Sequence, residues 1–82
     1  MYPNIVMSNP KNFWVVPHGN GNWAVIQEGN PVTISIHSLK VLAVEEARRY
    51  TMAHKGELIV CRSDRTIEYR NTYGVDPFPP RG

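Results

Sequence analysis

The stretch FWVVPHGNGNWAVIQE, residues 13–28, constrains the fold of this chain more than any other. Two apolar, aromatic-rich runs flank residues 18–22, whose two glycines supply the backbone freedom that a tight reversal needs. This pattern predicts a β-hairpin with strands over residues 13–17 and 23–28. Successive side chains of a strand point to opposite faces, and here both faces are apolar. Either both faces of the hairpin are covered, or one is offered to a partner.

A helix is predicted after a short third strand. Gly29-Asn30-Pro31 signals a turn, and the alternating, β-branched residues 32–36 favour a strand over an extended connector. Ser38 is the expected N-cap of the helix, and Lys55-Gly56 is its expected end. Between them, residues at three- and four-residue steps predict a buried stripe of Leu39, Ala43, Ala47, Tyr50 and Ala53, widened by Leu42.

A second hairpin and a proline-rich tail complete the chain. Residues 57–62 and 66–70 are predicted strands, and the absence of glycine from residues 63–65 predicts a loop of three or more residues. Three prolines in residues 74–82 exclude regular helix there and favour polyproline II. A helix between two hairpins predicts an α+β fold. Its antiparallel or mixed β-sheet has four to five strands, the helix packs on one face, and a proline-rich C-terminal tail follows.

The 82 residues make one domain with a modest core, because a chain this short buries about 60% of the surface that its unfolded form exposes. Residues 1–11 contain two prolines and are predicted to be a flexible N-terminal arm, and residues 12–82 form the domain, including the tail. Cys61 is the single cysteine, which fits a reducing compartment. No signal-peptide pattern or membrane-length apolar run occurs, so a cytoplasmic location is expected.

Five segments carry a family resemblance: VVPH at residues 15–18, GNWAV at 21–25, EEA at 45–47, GELIV at 56–60 and YGVDPFPPRG at 73–82. Their combination resembles a small bacterial family catalogued as domain of unknown function 2188, over residues 13–82. The resemblance implies no catalytic residues, because the family is named for lacking an assigned function. Relatives tend to have an Asp-Gly turn in the second hairpin, where this chain has Asp64-Arg65.

No catalytic, metal or cofactor site is expected. His18, His37, His54 and Cys61 are residue types that zinc accepts, but their spacings match no zinc pattern. Alternation places Cys61 on the same strand face as Ile59. This position predicts a small, packed hydrophobic side chain rather than a nucleophile. The carboxylates form no recognisable acid–base constellation. The sequence therefore favours a domain that binds over one that catalyses.

Protein contact is the leading prediction, with possible self-association as a homodimer. One helix of about four turns is a small cover for a hairpin that is apolar on both faces. Phe78, set among prolines, either docks on an external aromatic groove or folds back over Trp14 or Trp23 of its own chain. The candidate contact residues are Phe13, Trp14, Trp23, Tyr69 and Phe78.

Nucleic-acid binding is the alternative. Basic residues occur along the helix and the second hairpin, and aromatic side chains on a sheet can stack on bases. Acidic residues interrupt this positive surface, and the formal net charge of +2 is too small to imply such a partner by itself. The candidate residues are Lys40, Arg48, Arg49, Lys55, Arg62, Arg65 and Arg70.

Overall fold

A computed structural model describes residues 11–73 and confirms an α+β fold with one helix on a five-stranded mixed sheet. The strands are β1 (Phe13–His18), β2 (Asn22–Gln27), β3 (Thr33–His37), β4 (Glu57–Cys61) and β5 (Ile67–Thr72), and the helix α1 spans Lys40–His54. The predicted flexible arm, apart from Lys11, and the proline-rich tail lie outside the described residues. In residues 11–73, no helix has the length and apolar character needed to cross a membrane.

The strand order is β3-β2-β1-β4-β5, so the first hairpin holds the centre of the sheet. β1 pairs antiparallel with β2 and parallel with β4, and every other neighbouring pair is antiparallel. The parallel pair follows from the helix, which carries the chain from the β3 edge back to the far side of β1. The third strand predicted over residues 32–36 is confirmed as β3.

The helix packs on one face of the sheet and closes a single core. Val15, Val25, Leu58 and Val60 meet Ala43 and Ala47 there, and all six are at most 1% exposed. The buried helical positions are Ala43, Ala47 and Thr51, a line of small side chains at four-residue steps that lets the helix lie close to the strands. The hydroxyl of Thr51 donates to the Ala47 carbonyl at 2.7 Å, which satisfies its polar group in the core.

The predicted helix stripe is partly wrong, because the helix is rotated away from it. Leu39 and Leu42 are 56% and 48% exposed, and Ala53 is also exposed. The helix begins at Lys40 with Leu39 as its N-cap, one residue later than Ser38 would allow, and no side chain caps it. At the other end Lys55, with φ 57°, takes the left-handed conformation that often ends helices.

Gly56 ends the helix as predicted, with its backbone N–H donating to the Thr51 carbonyl at 3.1 Å, and it has a second role. A β-carbon there would lie 2.5 Å from the Lys11 carbonyl carbon, well inside van der Waals contact. The chain that enters β1 therefore passes directly over Gly56, and Tyr73 donates its backbone N–H to the Gly56 carbonyl at 2.9 Å. Glycine is required at this position because the Lys11 backbone leaves no room for a β-carbon.

The two hairpin turns differ in how they reverse the chain. In the first, Asn20 and Gly21 have φ of 64° and 76°, as the glycine-rich sequence predicts. In the second, the Arg62 N–H donates to the Thr66 carbonyl at 2.7 Å, which leaves a loop of three residues and confirms the predicted loop length. Arg65 has φ 75° in this loop, at the position where the family resemblance expects glycine.

Candidate protein-interaction surface

The sheet has one face covered by α1 and one face without a helix. Phe13 identifies the covered face, because its ring stacks on Tyr50 with ring centroids 5.6 Å apart and lies 5.5 Å from His54. Trp14 and Val16 alternate with Phe13 and Val15, so they lie on the opposite face. The register then places Ile26 beside Trp14, Ala24 beside Val16, Ile36 beside Ala24, and Ile59 on the other side of Trp14.

The helix-free face is defined by six apolar side chains: Trp14, Val16, Ala24, Ile26, Ile36 and Ile59. Glu57 lies on the same side of β4, two residues before Ile59. Two of its members are buried, since Ala24 on β2 and Ile59 on β4 are 2% and 1% exposed. The others stay accessible in part, since Trp14, Val16 and Ile26 are half-buried and Ile36 on the edge strand is 49% exposed. Within residues 11–73, no helix or strand lies over it. Apolar surface that remains accessible on one side of a sheet is a common feature of protein contacts.

An open depression of about 600 Å³ lies at one end of the helix-free face, where β2 turns into β3. Gly29, with φ 84°, reverses the chain there, and the Asn30 N–H donates to the Gln27 carbonyl at 3.0 Å. The depression is lined by Trp14, Ile26, Gln27, Glu28, Gly29, Asn30 and Pro31. Its walls are mainly apolar, with the carboxylate of Glu28 at the rim, so it can accept an apolar side chain of a partner.

Polar contacts hold the indole ring of Trp14 in place. Its Nε1–H donates to Glu28 Oε1 at 2.8 Å. Glu28 is fixed in turn by its backbone N–H, which donates to the Asn12 carbonyl at 2.9 Å. Asn12 also accepts the Glu57 N–H through its side-chain oxygen at 2.9 Å, so it joins the ends of β1, β2 and β4. A large aromatic side chain already held in one orientation loses little entropy when it is buried against a partner.

The structure separates the predicted contact residues. Phe13 is 1% exposed in the core, so it is not available at the surface. Trp23 packs against the core on the covered face, with Lys40 Nζ 4.8 Å from its ring centroid. Tyr69 is 38% exposed and lies on β5 beside the start of the helix. Trp14 lies on the helix-free face, and Phe78 falls outside the described residues.

Sequence reasoning did not select Val16, Ile26 and Ile36 as contact residues. The alternation within each hairpin strand separates Trp14 and Val16 from Phe13 correctly. It does not say which of the two faces the helix covers, because that depends on the path of the chain after β3. The predicted contact residues therefore lie on both faces of the sheet.

Four of the seven basic candidates for nucleic-acid binding face a carboxylate. Lys40 Nζ donates to Glu68 Oε1, and Arg70 lies 3.3 Å from Glu57. Arg48 and Arg49 both approach Glu45, at 3.3 Å and 3.9 Å. These pairs are largely exposed and contribute little stability, but they offset the positive charge of the helix and the second hairpin.

The remaining three basic candidates have local structural roles. Arg62 donates to Thr66 Oγ1 at 3.1 Å and to the Ile67 carbonyl at 2.9 Å within its own hairpin. Arg65 occupies the left-handed position of that loop, and Lys55 occupies the left-handed position at the helix end. The seven basic residues are therefore distributed over the helix and the second hairpin as paired or turn residues.

One polar cluster was not predicted. Glu46 Oε1 on α1 accepts from the Ser35 hydroxyl at 3.0 Å and lies 2.7 Å from His37 Nε2, and both partners are on β3. In a serine hydrolase the acid and the nucleophile use opposite nitrogens of the imidazole. Here the hydroxyl, 3.1 Å from His37 Nε2, and the carboxylate reach the same nitrogen. This geometry joins the helix to the edge strand and does not form a proton relay.

The cysteine and the other histidines are apart from this cluster. Cys61 is 2% exposed, and burial raises the pKa of its thiol, which favours the protonated form over the nucleophilic thiolate. His54 packs against Phe13, and His18 ends β1 at the first turn. Across residues 11–73, no three side chains among histidine, cysteine, aspartate and glutamate come together as metal ligands.

Comparison with known proteins gives one family. The model of a family described as "uncharacterized protein conserved in bacteria", domain of unknown function 2188, matches residues 13–73 and confirms the resemblance seen in the sequence. No curated protein matched the chain, and no solved structure did so.

Proposed function

Because the chain belongs to the bacterial family of domain of unknown function 2188, whose description assigns no activity, we propose its function from its surfaces: a non-enzymatic protein-binding domain. The observation that supports this proposal is the helix-free face. It presents the partly exposed side chains of Trp14, Val16 and Ile26 beside an apolar depression. Burying these side chains against a partner removes apolar area from water, which is the dominant favourable contribution to most protein association.

The depression and Trp14 define how a partner engages this face. An apolar side chain of the partner enters the depression beside Ile26, and the ring of Trp14 packs along it. Glu28 lies at the rim, where a donor group on the partner can reach its carboxylate. A second copy of the chain meeting face to face is one partner of this kind, and a different protein is the other.

Charge substitutions on the two sides of the domain test the proposal. Ile26→Lys and Val16→Lys place a cation on the helix-free face, whereas Val41→Lys adds the same charge on the helix, at a position that is 62% exposed. We expect proteins captured by the wild-type chain from a lysate of the native cell to be captured by the Val41→Lys variant. We expect the two face variants to lose them, because a buried unpaired charge is costly.

Equal capture by all four proteins would contradict the proposal. Thermal unfolding of each variant is the control, because a face variant that does not fold cannot report on binding. Sedimentation of the wild-type chain and the Ile26→Lys variant across micromolar concentrations then separates the two kinds of partner. Face-to-face self-association requires the wild-type chain to dimerise and the Ile26→Lys variant to be monomeric.

Nucleic-acid binding has less support, because Lys40, Arg48, Arg49 and Arg70 lie beside carboxylates. Titration with heterologous DNA and RNA at low salt tests it. Phosphate contacts would give a steep fall of affinity with salt and a weaker slope in an Arg48→Ala, Arg49→Ala double variant. The absence of binding at low salt would leave protein binding as the proposed function.

A further inference from the structure

The two edge strands of the sheet, β3 and β5, are protected to different extents. An edge strand exposes backbone donors and acceptors that can pair with another chain, and proteins commonly block it with charged residues. β5 carries Glu68 and Arg70, which pair with Lys40 and Glu57. β3 has the sequence TISIH and contains no residue with a formal charge at neutral pH.

Apolar side chains border β3 on both sides of the sheet. Ile36 is 49% exposed on the helix-free face, at the outer strand. On the other side of the sheet, Leu39 and Leu42 of the helix region are 56% and 48% exposed. Leu42 lies on the flank of α1 toward β3, because Glu46 comes one turn later on the same flank and accepts from the Ser35 hydroxyl.

We propose that this edge, formed by β3 with Leu39 and Leu42, binds a second copy of the same chain. The two β3 strands pair antiparallel across a two-fold axis, and the five-stranded sheets become one continuous sheet. The helix flanks meet on one side of the joined sheet, so Leu39 and Leu42 of each copy are covered by the same residues of the other.

A second copy fits this edge better than an added peptide does. A lone strand pairs with the β3 backbone but leaves Leu39 and Leu42 in water, because they lie in the helix layer above the sheet. A second copy supplies a strand and a helix flank in the same relative positions. The residues of β3 carry no formal charge, and the Glu46 carboxylate on the adjoining helix flank is already held within its own copy by Ser35 and His37. Pairing through β5 would instead involve the ion pairs of Glu68 and Arg70.

Dimerisation through this edge leaves the helix-free face accessible and places two such faces side by side. The inference therefore extends the proposed function without resting on it, because the β3 edge can pair whether or not the helix-free face binds a partner. If the face does bind a partner, two faces on one sheet bind a repeated or dimeric partner with increased avidity.

Adjacent helix residues provide a matched pair of test variants. Leu42 is on the β3 flank, whereas Val41 lies beside Tyr69 and Lys40 on the β5 flank and is 62% exposed. We expect sedimentation equilibrium of the full chain to show a dimer at micromolar concentrations, retained in Val41→Lys. We expect Leu42→Lys to weaken dimerisation by roughly tenfold or more, because it brings two like charges to the two-fold contact.

Hydrogen exchange locates the contact on the same samples. Exchange of β3 amides should slow as the wild-type concentration rises, while exchange of β5 amides stays constant. A wild-type chain that is monomeric throughout overturns the proposal, as does equal weakening by Val41→Lys and Leu42→Lys. Protection of β3 that is independent of concentration also overturns it. The Ile26→Lys variant distinguishes failure of the proposed function from failure of the edge dimer. It should abolish capture of a partner protein while leaving the edge dimer intact.

Discussion

The two halves of the sheet differ in their charged residues and in their accessible apolar side chains. The meander of β1, β2 and β3, residues 13–37, contains one charged residue, Glu28. The hairpin of β4 and β5, residues 57–73, contains six: Glu57, Arg62, Asp64, Arg65, Glu68 and Arg70. The meander presents accessible apolar side chains on its outer face and edge, whereas the hairpin is bordered by ion pairs. The accessible apolar side chains of the sheet therefore lie mainly in the meander.

The two halves of the sheet pair through β1 and β4. The largest expected effect on stability is at Gly56, directly before β4. Gly56→Ala places a β-carbon against the Lys11 carbonyl, so the entry to β1 and the start of β4 must separate. We expect the free energy of unfolding to fall by roughly 3 kcal/mol or more, measured by urea denaturation.

Gly19→Ala is the matched control for this substitution. A β-carbon at Gly19 meets no atom within 4 Å, and its φ lies outside the left-handed region. We expect this variant to unfold close to the wild-type midpoint. Similar losses for both variants would show that the backbone crossing at Gly56 is not the cause.

A smaller effect of opposite sign is expected in the loop of the charged hairpin. Arg65 has φ 75°, a conformation that costs an L-residue energy and that glycine adopts readily. Arg65→Gly should therefore raise the free energy of unfolding by roughly 0.5–1 kcal/mol, after the greater flexibility of glycine in the unfolded chain is included. Ser63→Gly, in the same loop without a positive φ, should be neutral or destabilising. A loss of stability in Arg65→Gly would contradict this explanation.

Acid should affect the charged hairpin more than the meander. The Thr66 hydroxyl, which donates to Asp64, lowers the pKa of that carboxyl, and the Lys40 ammonium lowers the pKa of Glu68 in the same way. A carboxyl with a lowered pKa in the folded state stabilises the fold above its ordinary pKa of about 4. That contribution is lost as the pH falls through the folded-state pKa.

Urea midpoints across this acid range measure the effect. We expect the wild-type chain to lose more stability on acidification than an Asp64→Asn, Glu68→Gln double variant, whose side chains do not titrate. Both groups are exposed, so this is the smallest of the expected effects. An identical dependence on pH in the two proteins would contradict the assigned hydrogen bonds.

Local patterns were sufficient to predict the elements of this fold. The glycine-rich turn at residues 19–21 and the alternation on either side of it specify β1 and β2. The loop length of the second hairpin follows from the absence of glycine at residues 63–65. The turn at Gly29 and the β-branched residues after it are enough to place β3. In each case the signal lies within a few residues of the structure that it predicts.

Features that depend on distant contacts were not predictable in this way. The burial of Thr51 in place of Leu39 follows from how the helix lies on the sheet, not from its own pattern. The same is true of the cluster of Ser35, His37 and Glu46, whose members belong to separate elements. Gly56 looks like a helix stop in the sequence, and its close approach to Lys11 becomes visible only in three dimensions.

In the proposed function, the helix-free face contacts another protein. Photo-crosslinking in the native cell tests it directly, with p-benzoylphenylalanine introduced at Val16 on that face or at Asn71 on the charged hairpin. We expect a discrete protein adduct from position 16 and none of comparable yield from position 71. No adduct from position 16, or equal adducts from both positions, would contradict it.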